Sequence, residues 1–118
     1  MERRIPEVSL KDVQRVIERD FGSSQHERVM SVLLGFEGVV HEHVRARVLL
    51  SVLKMADGDI EKVEKYVLLA LKDYRDVLAM AEYPGWARED GIEPLDEATE
   101  QEVIREDWLQ YIDWLNRK

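Results

Sequence analysis

The sequence predicts an all-α fold, a compact single-domain bundle of about five helices, on three observations. Every long apolar segment follows the 3.6-residue spacing of a helix face. Ser, Thr or Asp recurs just before these segments, often with an acid three residues later, which is the pattern of a capped helix start. At 118 residues the chain can close one hydrophobic core and is too short for two of ordinary size.

The first helix is expected over residues 9–21. Ser9 caps it with Asp12, Leu10, Val13, Val16, Ile17 and Phe21 form one stripe, and Gly22 stops it. A second, over 24–36, has Ser24 and Glu27 as its capping box and Val29, Val32, Leu33 and Phe36 on its inner face, before Gly35 and Gly38 loosen the chain. The third, over 41–56, is apolar around most of its circumference, as suits a central helix touched from several directions. Arg45 falls inside its apolar arc, whereas Arg47, Ser51 and Lys54 form a narrow polar edge.

Asp57-Gly58-Asp59 is a turn, with Gly58 suited to the left-handed residue after a helix and Asp59 to the next cap. The fourth helix, 59–82, carries the longest stripe, from Ile60 through Val63, Tyr66, Val67, Ala70, Leu71, Tyr74, Val77 and Leu78 to Ala81. Tyr83-Pro84-Gly85-Trp86 ends it and opens an acidic loop over 83–96. A fifth helix over 97–116 begins near Asp96 or Thr99. Its apolar arc, with Ile104, Trp108, Tyr111 and Trp114, is wider than one packing face needs.

Composition excludes several kinds of chemistry. The absence of cysteine removes disulfides, thiolate nucleophiles and cysteine-based zinc sites, and fits a reducing compartment. No signal-peptide-like core follows the start and no apolar run approaches membrane-spanning length, so the expectation is a cytoplasmic protein with no membrane partner. The net charge is −8, of which residues 82–118 contribute −7 through 11 acidic and 4 basic side chains. No basic stripe is left to neutralise phosphates, so nucleic acid is not an expected partner. An acidic third is either a solvated face or a surface that steers a protein partner.

Catalytic and cofactor patterns are missing. Ser23 and Ser31 lie in no nucleophile-elbow context, and there is no glycine-rich phosphate loop. His41 and His43 point about 200° apart on a helix, at 100° per residue, and cannot share a metal from one face. No catalytic residue, metal ligand or cofactor is therefore assigned. The alternative reading is a small helical enzyme or metal-binding protein that uses His41, His43 and nearby carboxylates.

Charged and aromatic residues on unexpected faces are the remaining signals. Arg45 and Asp107 each sit within an apolar arc and are expected to form a structural ion pair between the third and fifth helices. Leu69, Asp73, Asp76 and Met80 make a second row on the fourth helix, either a partner-facing ridge or a surface beneath the loop. Trp86, Trp108 and Trp114, with Leu69 and Met80, are the candidate partner-binding residues, since tryptophan is a favoured interface anchor.

Leu34-Gly35-Phe36, followed by Gly58-Asp59-Ile60-Glu61, resembles the Gly-Phe loop and the Gly-Asp-x-Glu helix start of ubiquitin-associated three-helix domains. The stretch between the two motifs is longer here than in those domains, and ubiquitin binding is not carried over. The functional expectation is a non-enzymatic interaction or regulatory module that presents its acidic, Trp-bearing C-terminal region to a protein partner or to a second copy of itself.

Overall fold

A computed structural model describes residues 4–36, 41–89 and 96–118, apart from the side chains at 42, 43, 88 and 89. Among them are six helices and no strand: α1 (Leu10–Asp20), α2 (His26–Leu34), α3 (Glu42–Ala56), α4 (Ile60–Glu82), α5 (Pro84–Glu89) and α6 (Glu97–Leu115).

α1 begins as its sequence indicates, with the Ser9 amide donating to Asp12 Oδ2 at 3.0 Å. Val13, Val16 and Ile17 are buried, and Phe21 joins them in the core. Leu10 is 41% exposed and does not join the stripe. The expected Ser24–Glu27 box does not form. Ser23–Gln25 is instead a turn of 3₁₀ helix, with the Gln25 amide on the Gly22 carbonyl at 2.8 Å, and α2 starts only at His26.

α3 is the central element, packed along α4 and against α1, and Val48, Leu49, Leu50, Val52 and Leu53 are almost completely buried. Its end matches expectation in part: Gly58 is left-handed at φ +81° and the Asp59 side chain accepts from the Glu61 amide at 2.9 Å to cap α4, but the residue directly after α3, Asp57, is left-handed as well at φ +50°.

α4 departs from the single straight helix implied by its stripe. Asp73 has φ −157° and ψ 99°, which breaks the helix, and its Oδ1 accepts from the Arg75 amide at 3.1 Å to cap the second half. Asp73 thereby gains a use that a mid-helix aspartate lacks. Leu71, just before the break, is half exposed and out of the expected stripe. The supposed ridge Leu69-Asp73-Asp76-Met80 does not exist as one row, because the regular helical turn on which it depends is interrupted in its middle.

The acidic loop expected over 83–96 contains a helix. α5 occupies Pro84–Glu89, Tyr83 ends α4, Asp96 caps α6, and residues 90–95 lie outside the described residues. Proline suits a first helical position because its missing N–H would have had no partner there. α6 is an integral part of the bundle. The Arg19 guanidinium donates to the carbonyls of Trp114 at 2.7 Å and Arg117 at 2.8 Å, and Arg15 donates to that of Leu115 at 2.8 Å. Two cations of α1 thus occupy the end of α6, where unpaired carbonyls and the negative end of the helix dipole attract them. Among the described residues no helix is long and apolar enough to cross a membrane.

Candidate functional site

α5 is where the candidate site is built, and it is held by a residue of another helix. Asp107 of α6, 6% exposed, accepts from the backbone amides of Gly85 at 3.0 Å and Trp86 at 2.8 Å. A carboxylate aimed at the first free amides of a helix satisfies orphan donors and sits at the favourable end of the dipole. The approach requires glycine at 85: a Cβ there would lie 2.8 Å from Asp107 Oδ1. Gln110, one turn further on, reaches the Asp107 carbonyl at 2.9 Å and the Ala81 carbonyl at 3.3 Å, tying α6 to the end of α4.

This arrangement sets Trp86 on the edge of a groove of about 730 Å³ between the second half of α4 and α6. Leu78, Ala79, Ile104 and Tyr83 supply apolar and aromatic lining, and Arg75 and Glu100 add charge. Arg47 and Glu82 also line it and form a paired fork, Nε to Oε2 at 3.1 Å and a terminal guanidinium nitrogen to Oε1 at 2.7 Å. Their side chains are only 15% and 5% exposed. Such a pair is neutral as a unit and engages both carboxylate oxygens with two of the guanidinium's donors, so it shapes the groove without offering a loose acid or base.

The expected Arg45–Asp107 pair is not what forms. Both oxygens of Asp107 are engaged by the start of α5, and Arg45 Nε is buried with no hydrogen-bond partner among the described residues. The α3 cation that feels Asp107 is Lys54, whose pKa burial lowers and whose charged form Asp107 partly restores. Helical periodicity reported correctly that Asp107 points inward. It could not report that its partner would be backbone.

The other candidates separate. Trp86 lines the groove, and Trp108 lies beneath the Arg4 guanidinium, 5.6 Å from the ring centre. Trp114 is in the core at 7% exposure, against Tyr111 and under Arg19, and is not available to a partner. Leu69 is at the margin of exposure, and Met80 packs partly against the core. His41 precedes α3 as its N-cap, and the His43 side chain is outside the described residues. Among the described residues no three His, Asp or Glu side chains gather as a metal site.

Sequence reasoning passed over Arg47 and Glu82, which belonged to a polar edge and a helix end. A signal was present: Glu82 stands four residues after Leu78, on the stripe itself.

Tyr111 lies behind this pair, 1% exposed, with a hydroxyl that has no hydrogen-bond partner among the described residues. Burial, and next the Glu82 carboxylate, push its pKa well above the usual phenol range. A folded-state pKa above the unfolded value of 10.0 means that the folded chain holds the proton more tightly. This stabilisation is complete below about pH 10 and is lost as pH rises from there towards the folded-state value. Tyr111→Phe should therefore flatten the alkaline limb of a stability–pH curve measured by urea unfolding. It should also raise stability by about 1 kcal/mol at neutral pH, by removing a buried hydroxyl without a partner.

Comparison with known proteins adds no family. No family model, curated protein or solved structure matches the chain.

Proposed function

We propose that this protein is a non-enzymatic interaction module that offers the groove between α4 and α6, with Trp86 on its edge, to a protein partner. The observation that carries the reading is the anchoring of α5 by Asp107, which fixes the backbone that carries Trp86 beside an open groove lined by both apolar and charged side chains. An aromatic anchor with little freedom left to lose is the usual centre of an interface. The paired state of Arg47 and Glu82 supports the same reading over an acid–base one, since each charge is already committed to the other. The acidic balance of residues 82–118 would steer a basic partner surface towards this side and set the salt dependence of its arrival.

Site-specific photocrosslinking in cells that naturally make the protein tests the proposal. A benzophenone amino acid at position 100, on the groove, should yield one dominant protein adduct, reduced at least about tenfold by Trp86→Ala, a loss typical of an interface anchor. The same probe at Lys62, an exposed residue of α4 outside the groove, should yield none. Equal adducts from both positions, or an adduct indifferent to Trp86→Ala, would refute the reading. An adduct with a second copy of the chain would identify the homodimer as its form.

A further inference from the structure

Residues 4–9 precede α1 without helix or strand, and Arg4 and Ile5 line the groove. Their hold on the body is specific but thin. Tyr83 Oη donates to the Arg4 carbonyl at 2.7 Å, the Arg4 guanidinium stacks on Trp108, and Pro6 is buried. Val8 packs partly against the core. Ile5, by contrast, is 63% exposed, and among the described residues the amides of Ile5, Glu7 and Val8 make no hydrogen bond. Segments with few buried contacts and unpaired amides open at a small fraction of the global unfolding free energy.

The position of Ile5 points the same way. It lines the groove on one side and, on the other, a hollow of about 420 Å³ bounded by residues 5–9 and Asp12. The segment is thus a wall between two hollows. Tyr111, whose buried hydroxyl has no partner among the described residues, feels Glu82 and Arg47 from the groove and Asp12 from the second hollow.

We infer that residues 4–8, up to the Ser9 cap of α1, are a detachable strap, docked by Tyr83 and Trp108, whose release joins the two hollows and uncovers Trp108, so that the partner-binding face exists in a closed and an open form. The gating role rests on the proposed interaction function, whereas the motion of the strap does not. A strap released for a partner must be closed by contacts of modest strength, and a hydrogen bond and a cation–aromatic contact beside the packing of Pro6 and Val8 are of that size.

A nitroxide on Glu7→Cys, in a chain with no other cysteine, reads the strap directly. Its electron paramagnetic resonance spectrum should contain an immobile and a mobile component. Arg4→Gln and Tyr83→Phe should each raise the mobile-to-immobile ratio by up to about tenfold, with the circular dichroism of the helices unchanged. A single component, or a ratio that neither substitution moves, would overturn the strap. The yield of the position-100 adduct should rise with the mobile fraction; greater mobility without greater yield would overturn the gating. Absence of any adduct in every variant would count against the partner reading, and the spectrum would then decide the strap alone.

Discussion

Arg47→Met should cost this protein about 3–5 kcal/mol, because it leaves Glu82 as a buried carboxylate without its cation. Glu82 is only 4% exposed and both its oxygens are engaged by the guanidinium, so the remaining charge has no ready route to water. Glu82→Leu should cost a comparable amount by stranding Arg47. The double substitution should be much milder than the sum, since it removes both desolvation penalties and restores an apolar lining. Urea unfolding of the wild type, both single variants and the double variant gives the coupling energy. Additive losses would mean that the two charges are independently solvated despite their 2.7 Å contact. The same set separates stability from binding: if the groove docks a partner through Trp86 and its apolar walls, the double variant should keep the photocrosslinked adduct.

Asp107→Ala should cost about 3 kcal/mol, for two charge-assisted hydrogen bonds lost and two amides of α5 left without an acceptor. Asp107→Asn keeps one acceptor oxygen and should recover about half of that. Gly85→Ala addresses the same geometry from the other side. Its Cβ would fall within 2.8 Å of the carboxylate, and an overpacked contact of this kind costs about 1–3 kcal/mol. Thermal unfolding followed by circular dichroism reports the energies, and intrinsic fluorescence reports whether Trp86 leaves its place. An Asp107→Ala protein with wild-type stability and emission would show that α5 stands without its tether. If the groove is the binding face proposed above, Asp107→Ala should also lower the yield of the position-100 adduct, because it frees the start of α5 that carries Trp86.

The helical segments were legible in the sequence because helix formation is a local matter. Burial periodicity, the Asp59 cap and the left-handed Gly58 all depend on residues within a few positions of one another. The break in α4 was legible in principle, since Asp73 with Asp76 three residues later repeats the capping pattern that opens α1. A strong apolar stripe on both sides concealed it. α5 was not legible in this way, because the acceptor for its first amides comes from α6, some 21 residues along the chain. No local pattern carries that information.

The candidate site divides along the same line. Sequence placed Asp107 on an inward face and marked Trp86 as a tryptophan beyond a helix end, both from local spacing. It assigned Asp107 the wrong partner and ranked Trp114 as a binding residue because an arc of helix can be read for breadth but not for what covers it. Only tertiary packing decided that α1 would close over Trp114 with Arg19, and that Arg47 rather than Arg45 would meet a carboxylate. The choice between those two arginines turns on a difference of about 200° around α3, at 100° per residue, and so on which neighbour each side of that helix finds. A chain determines which of its residues must leave water. Their partners are set by how whole helices pack, through the summed contacts of many residues distant in sequence.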